Sequence, residues 1–341
     1  MTVSPKLDPD LVTTHTTTGT ASIARWVEKH YGLQVEQCHL IRRGLNDNYA
    51  LRSIDGKRYV VRLYSIRPRG DFNVQFETSL LMHLEANGVG VAAPIMTTEG
   101  STYVQVQFPE GLRAIAMFQH AEGAIPDSLQ EFELTGHVLA DIHRVAHDYS
   151  GPSSLYTLNG HHLAGRTLEY LRGYPELGTE LLETYHRLVT QLLDQLGEAE
   201  SGLTRVVCHG DTHGFNNHVG KDADGESRAV FFDFDDAGPG FLAYDLSVLP
   251  WSYLIRKSLR EPDAVLLERW KQYLYGYRSG GGEVSEADVA ALPMFVQLRH
   301  LWNMGEGVGR LHHWGTSPMP VDWLKKQVDV FAAWKALDLR S

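Results

Sequence analysis

The chain has 341 residues, 43% hydrophobic and 21% charged, the make-up of a globular enzyme of one large domain or two lobes. With 31 basic and 42 acidic side chains its formal net charge is −11, which argues against nucleic acid or an anionic membrane as a partner, because both require a basic surface. Only Cys38 and Cys208 occur, too few for a disulfide framework or a multi-cysteine zinc site.

Residues 1–20 are rich in threonine and lack periodicity, so a flexible leader is expected there, and nothing in it has the basic and apolar regions of a signal peptide. Ser22 is placed to cap a helix over about 23–31, which Gly32 would end. Extended segments follow at 35–41, 48–53 and 59–64, the last two joined by the hairpin dipeptide Asp55-Gly56. A helical pattern over 72–87 closes at Gly88, and strand-like runs at 102–107 and 114–118 flank Pro109-Glu110-Gly111. Beyond Gly123, long helical patterns occupy 129–147 and 180–197, and more helices run from about 243 to the end. Two strands, 217–219 and 228–232, flank Gly225. An α+β architecture follows. Its N-terminal sheet lobe spans 21–119 and a mainly helical lobe spans 120–341, with a hinge at about 117–124. No stretch reaches the roughly 18 apolar residues of a membrane span, and a cytoplasmic protein is expected.

The chemistry concentrates in VVCHGDTHGFNN at 206–217 and FFDFDDAGPG at 231–240. Acids and amides held between apolar runs are costly without cationic or hydrogen-bonding partners. Asp211 follows an apolar strand and can orient a hydroxyl for attack, while Asn216, on the same loop, can ligate a hard cation. Asp233 on a neighbouring strand would complete an oxygen-rich magnesium site. That is the equipment of phosphoryl transfer, and His209, Asp211 and Asn216 keep the spacing of the protein-kinase loop H-R-D-x-x-x-x-N with Gly210 at the arginine position. Two rivals share these residues. His209, Asp211 and His213 alternate as a transition-metal cluster would, but no further histidine lies near Asp233. Asp222-Ala223-Asp224-Gly225 hints at a calcium loop but lacks its terminal glutamate, so a hairpin turn is expected.

HGDTHGFN, FFDFDDAGPG and AYDLSVL, with RYVVRLY and GVGVAAP upstream, resemble the aminoglycoside phosphotransferase and choline kinase superfamily. Within it the chain looks most like the branch of bacterial stress-response kinases and type II homoserine kinases. The resemblance implies a protein-kinase-like bilobal fold with ATP and Mg²⁺ between the lobes. Asp211 would be the catalytic residue, and Asn216 and Asp233 the metal ligands. His209 and Asp245 would support the loop, Asp235 would stand behind the metal site, and Asp236 is expected on the surface. Arg62 takes the place of the family's phosphate-binding lysine, with Glu77 as its ion-pair partner. The phosphate-covering hairpin would fall at IRRGLNDN, which has Gly44 alone, making Asn46, Asp47 and Asn48 its binding candidates. Phe118, Gln119 and His120 would meet adenine.

The acceptor, a small molecule bearing a hydroxyl, would lie against His213, Tyr253, Arg256, Trp302 and Glu306, with His161, His162 and Trp314 as further candidates. Trp302 one turn from Glu306 suggests an indole face and a carboxylate around an amine, hence an amino alcohol or aminosugar. The alternatives are a Ser/Thr protein kinase of the stress-response type and a non-catalytic nucleotide-binding regulator, the latter disfavoured by the intact Asp211, Asn216 and Asp233.

Overall fold

The computed structural model describes residues 10–65, 72–221, 224–315 and 319–340, the side chains of 312–314 excepted. Strand alternation organises the N-terminal part. β1 (Val35–Arg43), β2 (Asp47–Ser53), β3 (Arg58–Leu63), β4 (Val104–Phe108) and β5 (Gly111–Gln119) make one antiparallel five-stranded sheet in the order β1-β2-β3-β5-β4. The β2–β3 turn passes through Gly56 at φ 84°, as its dipeptide predicts.

Two helices cover the sheet's two faces. α1 (Thr20–Tyr31) sets Ile23, Val27 and Tyr31 on Val61, Leu63, Ile115 and Met117. α2 (Val74–Ala86) sets Phe76, Leu80 and Leu84 on Ala114, Ala116 and Phe118. Since Val61 and Leu63 face α1, the intervening Arg62 is turned to the α2 face, where Glu77 waits. Ser22 does not cap α1. The helix starts earlier, after Gly19, whose carbonyl accepts from Ser22 N and Ile23 N. Nor is the leader loose up to residue 20. His15, Thr16 and Thr18 bond to Asp47, Glu110 and Tyr49, while residues 1–9 lie outside the described residues.

The C-terminal part is helical. α3 (Leu129–Ala146) opens with a Ser128/Glu131 capping box. A π-turn over His161–Gly165 leads into α4 (Arg166–Arg172), and α5 (Thr179–Ala199) follows. β6 (Arg205–Cys208) pairs with β9 (Gly238–Phe241), and β7 (Asn217–Lys221) with β8 (Ser227–Phe231), both antiparallel. These two short strand pairs leave two loops, 209–216 and 232–237, side by side. Last come α6 (Leu242–Lys257), α7 (Ala264–Ser279), α8 (Glu286–Trp314) and α9 (Val321–Trp334). Asp288, in the first turn of α8, caps its own helix and also accepts from Thr204 N and Oγ1. That bond fixes α8 to the strand that feeds loop 209–216. Among the described residues no helix is long and apolar enough to cross a membrane.

Candidate functional site

Loop 209–216 is held by Asp245 in the first turn of α6. Its carboxylate, 0% exposed, accepts from His209 N at 2.7 Å and Gly210 N at 2.8 Å. His143 of α3 donates to the same carboxylate at 3.0 Å and accepts from Tyr277 of α7. Gly210 stands at φ +86°, and a Cβ there would lie 2.2 Å from the Asp236 carbonyl oxygen, so only glycine fits. The same close approach corrects the expectation for Asp236. The 3₁₀ turn Phe234–Asp236 folds back beneath the loop and buries it at 4% exposure.

The His209 imidazole lies tilted against the Phe234 ring, its centre 4.2 Å away, donates to Phe232 O at 3.1 Å and accepts from Asp211 N. Both ring nitrogens therefore serve the backbone, which removes His209 from any transition-metal cluster. Burial holds this ring below its ordinary pKa, in the neutral form that this bonding requires.

Asp211 is gripped on both carboxylate oxygens. Arg299 Nη2 of α8 meets Oδ1 at 2.5 Å, and Asn216 Nδ2 donates to Oδ2 at 3.0 Å, where His213 Nε2 also lies at 3.3 Å. Burial alone would raise this carboxyl, but Arg299 and His213 outweigh it and keep Asp211 well below the usual carboxylate range. Arg299 is itself buried, with its guanidinium 4.7 Å from the Trp251 ring centre and 4.2 Å from that of Trp302. It also donates to Gly210 O and Tyr244 Oη, each at 3.2 Å.

Across the cleft, Arg62 Nη1 pairs with Glu77 Oε1 at 2.9 Å and Nη2 with Asp233 Oδ1 at 2.9 Å. Its Nε donates to Asn48 Oδ1 at 3.3 Å. Tyr64 Oη donates to Glu77 Oε2 at 2.6 Å, and burial pushes that carboxyl up to about 7 against the pull of Arg62. Asp233 adopts φ 70°, ψ 57°, a left-handed conformation that a non-glycine residue takes only when its surroundings impose it. Withdrawal from water pushes its carboxyl upward, although its outer edge still faces the cleft. Arg62 opposes the rise, and Asp235 and Asp211 add to it. A divalent cation would reverse that logic. Asn216 Oδ1 and Asp233 Oδ2 carry no protein partner among the described residues, and both side chains line the cleft. No three His, Cys, Asp or Glu side chains among those residues gather into a metal cluster. A hard cation would therefore rest on these two oxygens together with phosphate and water.

The cleft is a cavity of about 400 Å³. Arg62 and Asn48 line its sheet side, Phe118, Gln119 and His120 its inner edge, and His213, Asn216 and Asp233 its floor. Asn46 stands behind it, donating to Asp235 Oδ2 at 2.7 Å and accepting from Ser65 N at 3.2 Å. Thus Asp235 braces the end of the β1–β2 turn.

The acceptor candidates separate into two groups. Tyr253 and Arg256 line a second cavity, about 520 Å³, which shares Phe215 with the cleft. Arg256 stacks over that Phe215 ring at 4.1 Å. Trp302 and Glu306 are engaged internally, which corrects the picture of a free indole and carboxylate. Arg299 covers the Trp302 ring, Trp302 Nε1 donates to His162 at 3.2 Å, and Arg166 pairs with Glu306 at 2.9 Å. His161 is exposed, His162 stacks on Tyr156 at 4.7 Å, and the Trp314 side chain lies outside the described residues, as do Asp222 and Ala223. Sequence reading missed Arg299, His143 and Arg113. Only Arg299 left a signal, as a lone charge in the apolar run FVQLRHLW.

Residues 40–282 match the model of the phosphotransferase enzyme family. An uncharacterized protein of Deinococcus radiodurans is 32% identical over 326 residues, covering 94% of this chain and 91% of its own. Among solved structures, the amicoumacin kinase hAmiN in complex with AMP-PNP, Ca²⁺ and Ami superposes with a TM-score of 0.69 at 18% identity, covering 94% and 96% of the two chains. A microcompartment-associated aminopropanol kinase superposes at 0.66 and 21% identity, covering 92% and 95%. Both share the arrangement of an N-terminal antiparallel sheet over a helical C-terminal part.

Proposed function

The chain belongs to the phosphotransferase enzyme family, and on that premise we propose that it transfers the γ-phosphate of ATP, with Mg²⁺, to a hydroxyl of a small amino alcohol or aminosugar-like molecule. The observation that carries this reading is Asp211. Its carboxylate is fixed through Oδ1 by Arg299 and through Oδ2 by Asn216 and His213, two residues that line the floor of a cleft where Asn216 Oδ1 and Asp233 Oδ2 have no protein partner among the described residues.

In this reading Asp211 accepts a hydrogen bond from the acceptor hydroxyl and turns its oxygen toward the phosphate. Being a weak base, it orients more than it deprotonates, and its proton uptake comes late in the transfer. Mg²⁺, when bound, supplies charge neutralisation between the phosphate oxygens. Asn216 and Asp233 would hold it. Arg62, kept in place by Glu77, offers its guanidinium to phosphate, and Phe118, Gln119 and His120 flank the base at a hinge over 117–124. His213 borders the acceptor hydroxyl, and Tyr253 and Arg256 extend that side into the second cavity. The amine in the acceptor is supported by the aminopropanol named for one structural relative and by the chain's net charge of −11. A cytoplasmic location is part of the proposal.

ADP release from Mg²⁺–ATP over a panel of amino alcohols, aminosugars and nucleosides tests it, with Asp211→Ala as control. Acceptor-dependent release that vanishes in the variant is expected. Wild-type turnover in Asp211→Ala sinks the mechanism, and labelling of generic protein substrates instead of the panel favours a Ser/Thr protein kinase.

A further inference from the structure

Residues 46–48 carry the β1–β2 turn into β2, where Asp47 pairs with Arg43 and Leu63, and Asn46 and Asn48 reach Asp235 and Arg62 at 2.7 and 3.3 Å. Between them Asp47 is 0% exposed. A carboxylate so buried persists only with a cation and donors around it. Arg113 of β5, also 0% exposed, meets it at 2.9 Å.

Arg113 engages all its nitrogens. Nε donates to Tyr64 O at 2.8 Å. Nη2 reaches Leu63 O at 3.2 Å and Ser65 Oγ at 3.3 Å as well as Asp47. Nη1 donates to Thr16 O at 2.9 Å and lies 3.2 Å from Glu110 Oε1. Glu110 in turn accepts from Thr16 N at 3.0 Å and from Thr16 Oγ1 at 2.8 Å. His15 closes the ring on Asp47 at 3.2 Å, and Tyr49 Oη donates to Thr18 O at 2.6 Å. One guanidinium thus ties three things together: the chain before α1, the first residue of β2, and the end of the strand that bears Arg62.

We propose that Arg113 and residues 15–18 form a polar clamp that positions residues 46–48, where the β1–β2 turn enters β2, for nucleotide binding. The inference rests on the reading of the cleft as a nucleotide site. Fixing this segment beyond its strand pairing before nucleotide arrives removes an ordering cost from binding, so loss of the clamp appears as weaker affinity. Lysine cannot replace this fork, since an ammonium lacks the planar geometry that reaches six partners at once.

The test is calorimetric titration of the full chain with Mg²⁺–AMP-PNP, well below each variant's melting temperature. Thr16→Val is expected to weaken binding about threefold by losing a single hydroxyl bond, while Thr16→Ser, which keeps the hydroxyl, retains wild-type affinity. Arg113→Lys is expected to weaken it about tenfold or more. If Arg113→Lys fails to fold, the Thr16 pair decides. Wild-type binding with unchanged affinity in Thr16→Val, whatever its melting temperature does, overturns the inference and leaves the nucleotide reading standing. Absence of AMP-PNP binding by the wild type overturns both.

Discussion

Arg299 Nη2 lies 2.5 Å from Asp211 Oδ1, and the guanidinium sits within 5 Å of two tryptophan ring centres, at 4.7 and 4.2 Å. Removing one member of a buried pair leaves the other charge uncompensated, at a cost of about 3–5 kcal/mol. Arg299→Met is therefore expected to lower the melting temperature substantially and to reduce phosphoryl transfer by about 100-fold or more, since Asp211 loses its orientation. Adding Asp211→Asn should restore much of the stability and none of the activity. Denaturant titration of the two single variants and the double variant measures this. Stability losses that simply add would contradict the coupling.

Chelation with EDTA is expected to abolish ADP release, and added Mg²⁺ to restore it. Asn216→Ala and Asp233→Ala should each raise the Mg²⁺ concentration for half-maximal rate and lower the rate about 100-fold or more. Assays across a Mg²⁺ series check both. Full activity in excess EDTA would remove the metal from the reaction.

Gly210→Ala adds one methyl where φ is +86° and the Asp236 carbonyl oxygen would lie 2.2 Å away. Strain and overlap together should cost about 3 kcal/mol or more. Because the displaced groups are the loop and the turn after Asp233, transfer should fall with stability. Thermal melts and rates on the same samples give the answer, and a variant that melts and turns over as wild type would mean that the loop sits differently.

His300 on α8 donates through Nε2 to Gln327 Oε1 at 3.0 Å and accepts at Nδ1 from Trp251 Nε1 at 3.3 Å. Burial holds its pKa down to about 4, against an ordinary 6.5. The unfolded chain takes up this proton near 6.5 and the folded one only near 4. Stability should therefore fall as pH drops through that window, by up to about 3 kcal/mol from this residue, and owe nothing to it above pH 7. Replacing the ring by His300→Asn should flatten that part of the profile. Denaturant midpoints of both proteins from pH 4 to 8 provide the comparison, and parallel profiles would exclude the contribution.

Local chemistry made part of this molecule legible in advance. Alternation in Tyr59-Val60-Val61-Arg62-Leu63 and the Asp55-Gly56 turn specify a hairpin whatever lies around them. The HGDTHGFN run predicts its own loop because glycines and polar side chains follow directly on the apolar strand Val206-Val207-Cys208. What stayed hidden depends on partners far away in the chain. Arg299 stands 88 positions from Asp211, and Arg113 stands 97 from Thr16 and 66 from Asp47. No periodicity reports such pairings, which arise only when the sheet and α8 are in place. Trp302 and Glu306 illustrate the converse. Their spacing suggests a binding cage, but the protein's own arginines occupy it.

Asp245 gives loop 209–216 an uncommon thermal character. The amide protons of His209 and Gly210 end on a carboxylate that is 0% exposed and is itself tied to His143 and Tyr277 on α3 and α7. Loops beside a reaction centre usually open locally. Here opening would strand a buried anion, so these two amides should exchange their protons with solvent as slowly as those of the helical interior. Proton-exchange rates at His209 and Gly210 would then track global unfolding, and mutations at His143 or Tyr277 would speed exchange in that loop.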